Sequence, residues 1–146
     1  MEAEAKAPDH LPVFLGRRPE EPVDNDPRDF YFRLLAAIRD PVFREGQWCL
    51  CDRTGWPDNQ SYLNVVALDW IKGDDQFLIV VNLSDRPSQA RVKVDWKNLA
   101  GSTWRLGDPL SNAAYDRSGD DVLSSGLYVD LGPWGYHFFD CSHMKQ

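Results

Sequence analysis

The stretch LYVDLGPWGYHFFD, residues 127–140, sets a hydrophobic alternation, a Gly-Pro break and a second, aromatic alternation in immediate succession. Side chains of a strand point alternately to opposite faces, so Leu127, Val129 and Leu131 share one face while Tyr128 and Asp130 share the other. Beyond Gly132-Pro133, the same period puts Trp134, Tyr136 and Phe138 on one face, with Gly135, His137 and Phe139 opposite. Proline has no N–H to give a ladder and glycine admits positive φ, so the pair reads as a corner between two strands rather than a strand interior. The segment predicts the last hairpin of a β-sandwich, its aromatic side chains sealing a core.

Upstream, the period of two begins at Gly46 and continues through QWCLCD, YLNVVALDW, QFLIVVNLS, QARVKVDW, TWRLGD, GLYVDL and WGYHFFD. Turn residues separate the runs, in GWPDN, KGDD, SDRPS, NLAGS and the long SNAAYDRSGDDVLSS. Short strands at this spacing, with no helices written between them, predict a mainly β fold: an antiparallel sandwich of Greek-key type with about seven strands, over residues 41–140. One helix precedes it. In NDPRDFYFRLLAAIRDPVF, Asp26 suits an N-cap and Pro27 the first helical position, and Pro41 ends the pattern. Phe30, Tyr31, Leu34, Leu35 and Ile38 give that helix an apolar face wider than a lone surface helix needs. Residues 1–10 carry no periodicity and are expected to be disordered, residues 141–146 to form a tail. The four prolines between Leu11 and Pro27 exclude a continuous helix there.

At 146 residues the chain suits one compact domain, and 42% hydrophobic content with six Trp, five Tyr and seven Phe supplies a real core. A net charge of −7 argues against nucleic acid as a partner, because phosphate binding needs a surplus of Lys and Arg on one face. No run of about 20 apolar residues exists to span a membrane, and MEAEAKAPDH lacks the apolar core of a secretory signal, so a cytoplasmic location is expected. Cys49, Cys51 and Cys141 make an odd number and no disulfide framework. Together with His143 they have the donor types that zinc takes, but C-x-C lacks the usual two- to four-residue knuckle spacing. Reduced cysteines acting as small apolar residues are expected, with no metal and no cofactor.

The order LPVFLGRRPEEP, FYFRLLAAIRDPVFREGQW, FLIVVNLSDRP, WRLGDPL, YDRSGDD and GLYVDLGPWGYHFF resembles the C-terminal region of an α-amylase-family glycoside hydrolase. In that family a catalytic (β/α)8 barrel is followed by a small antiparallel β-sandwich. Residues 11–40 are similar to the end of the barrel with its last helix, and LIVVNLSD at 78–85 is similar to the sandwich strand that reads as apolar residues followed by N-(F/L)-S. The resemblance covers roughly residues 11–140. It implies an Asp nucleophile, a Glu acid/base and a second Asp on barrel strands that precede this region, and none of the chain's 23 acidic residues matches those motifs. Catalysis requires two carboxylates flanking a glycosidic bond with their pKa values set apart, so no catalytic residue is assigned.

Four local features compete for a binding role. Asp116, Asp120 and Asp121 in YDRSGDD offer carboxylates to calcium, but the EF-hand spacing is not met, and a solvated turn with an Asp116–Arg117 pair is the expectation. Arg17 and Arg18 beside Glu20 and Glu21 read as surface pairs. Sugars stack on exposed aromatic rings: Trp56, in a loop, and Trp96, at a strand end, are the candidates, whereas Trp48, Trp70, Trp104 and Trp134 read as core or barrel-facing. His137 stands without a nucleophile nearby and reads as a structural histidine. The leading expectation is therefore a non-catalytic sandwich that packs on and stabilises a barrel not contained in this chain, through Phe30, Tyr31, Leu34, Leu35 and Ile38. Lacking that barrel, the same face would close a homodimer. The alternatives are an autonomous carbohydrate-binding module for α-glucans and, with least support, a hidden hydrolase site.

Overall fold

The computed structural model describes residues 25–144, so the expectations for the disordered N-terminus, for the Pro-rich stretch up to residue 24 and for the Arg17, Arg18, Glu20 and Glu21 pairs lie outside the described residues. The chain opens with α1, Asn25–Ala37, and a single helical turn, α2, Val42–Glu45. Nine strands follow: β1 Gln47–Leu50, β2 Arg53–Thr54, β3 Val65–Lys72, β4 Asp75–Asn82, β5 Ser88–Val92, β6 Thr103–Gly107, β7 Ala114–Ser118, β8 Leu127–Leu131 and β9 Tyr136–Met144, with α3, Gly119–Ser125, between β7 and β8. They form a six-stranded sheet in the order β1-β3-β4-β9-β6-β7 and a three-stranded sheet in the order β2-β5-β8, every pair antiparallel. None of the helices described is long and apolar enough to cross a membrane.

The two sheets face each other across the main core. Val65, Ala67, Leu78, Val80, Leu106 and Phe139 of the large sheet meet Ala90, Val92, Leu127, Val129 and Leu131 of the small one. This is the period of two written out in space: β8 is buried at Leu127, Val129 and Leu131 and exposed at Tyr128 and Asp130. A second, smaller core lies on the outer face of the large sheet, where Val42, Phe77, Leu110 and Phe138 are packed by Leu34, Ala37, Phe43, Trp70 and Ile79. Phe43 of α2 is its hub, with ring centroids 4.9 Å from Phe77, 5.4 Å from Trp70 and 5.7 Å from Phe138. The large sheet is thus covered on both faces, by the small sheet on one and by the two leading helices on the other.

The expected tail does not begin at residue 141, since β9 runs on to Met144 and pairs there with β6, and two further sequence expectations change. The segment 127–140 is a corner but not a hairpin, because β8 and β9 belong to different sheets. Gly132-Pro133 carries the chain from the small sheet to the large one, and Trp134 turns with φ 56° and stays exposed rather than sealing the core. Asn82, fully buried at the end of β4, holds that corner: its Nδ2 donates to the carbonyls of Leu131 (3.3 Å), Gly132 (2.9 Å) and Arg86 (2.7 Å). Second, SNAAYDRSGDDVLSS is not a loop but contains β7 and α3. Ser118 caps α3 by accepting from the Asp121 N–H, Asp120 and Asp121 stand in its first turn, and Gly126 follows it at φ 85°. Gly119 opens α3 against the backbone of Leu99, whose carbonyl oxygen would lie 1.8 Å from any Cβ there. The exposed strand β7 shows no apolar alternation because no layer covers it.

Candidate functional site

The outer face of the large sheet carries the broadest apolar surface. Along α1, Phe30, Leu34 and Ala37 recur at i, i+4 and i+7; Leu34 and Ala37 pack into the outer core, and the Phe30 ring meets that of Tyr136 edge-on at 5.6 Å. Tyr31, Leu35 and Ile38 form a parallel stripe one residue over, and these three are 59%, 37% and 39% exposed. The face anticipated from the sequence is therefore split: Leu34 belongs to the chain's own core, and the other four residues remain open to solvent to different degrees. On the same face of the large sheet, Trp48 and Leu50 of the edge strand β1 lie opposite Trp70 and Leu68 and are 63% and 64% exposed. Of the two sequence readings of Trp48, core or barrel-facing, its exposure excludes the core, because β1 is an edge strand and alternation alone does not say whether a layer covers it.

Trp56 occupies the other side of the molecule, in the loop after β2, tied by paired backbone hydrogen bonds to Asn59. Its ring meets Tyr128 edge-on at 5.9 Å, and the Arg91 guanidinium lies 5.2 Å from its centroid. Arg91 and Tyr128 are register partners on the exposed face of the small sheet, next to the Gln89–Asp130 pair, and Gln89 Oε1 accepts from Asn59 Nδ2 at 2.9 Å. An aromatic pair flanked by a guanidinium and amides is a patch that can stack on a sugar and hydrogen-bond its hydroxyls.

Trp96 does not belong to such a surface. It is 5% exposed, its ring stacked near Trp104 with centroids 4.8 Å apart, and its Nε1 donates to Asp69 Oδ2 at 3.0 Å. The strand-end position suggested exposure, but the segment after β5 folds back over the core and gives the indole N–H a buried acceptor. Of the remaining tryptophans, Trp104 is buried, Trp70 lies in the outer core, and Trp134 is exposed on its corner. Asp69 was not singled out by sequence at all. Burial pushes its carboxyl up to about 6, against the hydrogen bonds from Trp96 and Gln76 that favour the charged form. A raised carboxyl is a frequent sign of acid catalysis, yet Asp69 is 2% exposed and does not line the nearby recess of about 100 Å³ bounded by Gln76, Asp95 and Trp104, so no sugar reaches it.

The other candidates resolve as follows. The carboxylate of Asp116 is gripped by Arg105 through Nε (2.9 Å) and Nη2 (3.0 Å), which holds its pKa below the usual range. Arg117, the expected partner, instead donates to the Asp116 backbone carbonyl and lies over the Tyr115 ring. Asp120 accepts from the Gly101 N–H, so the three acids of YDRSGDD are spread over separate structural tasks and form no metal-holding group among the described residues. His137 stacks on Phe139 with centroids 4.7 Å apart and lines a crevice of about 180 Å³ between the sheets, together with Tyr115, Arg117, Tyr128 and Asp130. Burial lowers its pKa, opposed by Asp108, and no serine or cysteine lines the crevice to serve as a nucleophile. Cys49 and Cys51 approach Asp69, whereas the Cys141 thiol faces the Phe139 carbonyl at 3.6 Å; the His143 side chain lies outside what is described.

No family model matches the chain, and no curated protein does. Among solved structures, that of a noncanonic maltogenic α-amylase, AmyB from Thermotoga neapolitana, is similar over 94% of this chain with a TM-score of 0.61 and 14% sequence identity. A MutB inactive double mutant in complex with isomaltulose matches over 77% of this chain and 17% of its own, at 18% identity and a TM-score of 0.47. The chain spans 30% of the length of the maltogenic α-amylase, and over that part the two share a fold.

Proposed function

We propose that the chain is the non-catalytic C-terminal β-sandwich portion of an α-amylase-like carbohydrate-active protein, and that its work is to dock on and stabilise a catalytic (β/α)8 barrel which it does not itself contain. The observation that carries this reading is the set of open apolar side chains on the outer side of the large sheet, Tyr31 and Leu35 of α1, Ile38 just past its end, and Trp48 and Leu50 of β1. Full burial of such a side chain is worth roughly 1.5–3 kcal/mol, and the fraction still exposed here leaves part of that gain to a partner of matching apolar shape. The fold shared with part of a maltogenic α-amylase supports a barrel as that partner. Two described acids support a non-catalytic role, since Asp69 is sealed in the core and Asp116 is held by Arg105.

The purified chain should therefore release no sugar from maltooligosaccharides, while the tagged chain expressed in its source cells should retrieve an α-glucan-hydrolysing activity from their extract. Leu35→Asp with Ile38→Lys should abolish that retrieval, and Leu123→Asp, exposed on α3 and away from this surface, should not. Turnover by the purified chain, or retrieval untouched by the double substitution, would contradict the reading.

A second reading rests on the Trp56–Tyr128–Arg91 patch, which suits an α-glucan held by an autonomous module. In native electrophoresis through soluble starch or glycogen, such a module would be retarded, and Trp56→Ala would weaken binding by up to about tenfold. Unretarded migration of the unaltered chain eliminates this second reading and leaves the docking role.

A further inference from the structure

Cys49 lies on the edge strand β1 and Cys51 just past its end, and the pairing of this segment with β3 supplies what their spacing lacks. Cys49 is the register partner of Asp69, and the Cys51 N–H donates to the Ala67 carbonyl at 2.9 Å, so both side chains point to the face on which Asp69 lies. The two Sγ atoms and a carboxylate oxygen of Asp69 fall within 4.8 Å of one another. Asp69 is 2% exposed and uses only one oxygen in the protein: Oδ2 accepts from Trp96 Nε1 at 3.0 Å and from Gln76 Nε2 at 3.5 Å. Its Oδ1 is buried and has no hydrogen-bond partner among the described residues. Leaving such an acceptor unmet costs on the order of 1–3 kcal/mol, so an orphaned oxygen on a carboxylate that lies beside two thiols calls for an explanation.

We propose that Cys49, Cys51 and Asp69 form a binding site for a thiophilic divalent cation of the zinc type. Two sulfurs and one carboxylate oxygen select zinc-like ions over magnesium or calcium, which prefer all-oxygen shells. Metal–ligand distances of about 2.3 Å to sulfur and 2.1 Å to oxygen place donors roughly 3.6–4.0 Å apart, so the triad closes on an ion by small side-chain rotations. Cys49 is exposed and gives the ion its way in, leaving a fourth position for water, whereas Cys51 and Asp69 are buried and fix the inner side. The knuckle spacing that counts against C-x-C applies to turns. On a strand, residues i and i+2 share a face about 6.6 Å apart along the chain, and a third ligand from the neighbouring strand completes the set. Neither Cys141 nor His143 is needed: the Cys141 thiol is turned to the Phe139 carbonyl and lies outside the triad.

Cobalt(II) titrated into the full chain, kept reduced with a phosphine, tests the site directly. One equivalent should produce the near-ultraviolet thiolate-to-cobalt charge-transfer absorption, and zinc should displace it. Cys49→Ser, at an exposed position that leaves folding untouched, should weaken cobalt binding by about tenfold or more, and Cys51→Ala should remove the absorption. Asp69→Asn should weaken binding as well, and if that variant fails to fold, Cys49→Ser still decides the matter. Cys141→Ala should keep the band. Absence of the charge-transfer band in the unaltered chain overturns the proposal, as does a cobalt affinity unchanged by Cys49→Ser.

Discussion

Replacing Asn82 with Ala should lower the unfolding free energy by about 3–5 kcal/mol in urea melts, a loss on the scale of a large core truncation. The reason is the number of groups that one side chain satisfies while fully buried. Nδ2 serves the carbonyls of Arg86, Leu131 and Gly132, and Oδ1 accepts from the Ser84 N–H at 3.1 Å and the Ser84 hydroxyl at 2.8 Å. Two turns are held at once, the one leaving β4 and the corner that moves the chain between sheets. Two further backbone bonds depend on that register: Asn82 N–H to the Gly135 carbonyl at 2.8 Å and Trp134 N–H to the Ser84 carbonyl at 2.9 Å. Deleting the amide strands several backbone groups, each at about 1–3 kcal/mol where water cannot replace it. Asn82→Asp should cost at least as much, because it turns a donor facing three carbonyls into an acceptor, and Ser84→Ala should cost only about 1 kcal/mol. A loss below about 1 kcal/mol for Asn82→Ala would show that water relieves the stranded carbonyls and that the corner holds without the side chain.

Asn82 also marks the boundary of what could be read from the chain. Strand periodicity located seven of the strands and the inward residues Leu127, Val129 and Leu131, since a pleated, half-buried strand writes its burial directly into its alternation. Sheet membership was not written in the same way. The Gly-Pro break gave a corner correctly but not the fact that β8 and β9 part company, which depends on Asn82 reaching from β4, some fifty residues earlier in sequence. β7 and α3 were missed for opposite reasons. The edge strand has no covered face and hence no alternation, whereas α3 did announce itself through Ser118 followed by Asp121 at capping distance, a signal outweighed by the surrounding Ser, Gly and Asp. The candidate site shows the same division. Trp56, expected to be exposed in its loop, is half-buried with Arg91 and Tyr128 against its ring, Trp96 was misplaced because a buried acceptor on another strand cannot be seen locally, and Asp69 stayed hidden inside an apolar run as the one charged residue of VVALDW.

Two neighbouring leucines of α1 should behave in opposite ways, and that contrast tests the docking surface most sharply. Residues 30, 34 and 37 form the stripe that the chain uses itself, and residues 31, 35 and 38 form a second stripe about 100° further round the helix. Leu34→Asp places a carboxylate against Phe77, Leu110 and Phe138 and should reduce stability by about 2–4 kcal/mol, visible as a lower urea midpoint. Leu35→Asp with Ile38→Lys alters only the solvent-facing stripe, so the urea midpoint should stay within about 0.5 kcal/mol of the original. Its effect should instead be on association. In the absence of a barrel the open stripe is self-complementary, and two copies can cover Tyr31, Leu35, Ile38 and Trp48 by a two-fold pairing of their helices. Sedimentation velocity should then show a concentration-dependent dimer for the unaltered chain and a monomer for the double variant. A monomer before any substitution would remove the dimer, and a double variant as unstable as Leu34→Asp would assign the second stripe to the chain's own core, leaving no surface for a barrel to cover.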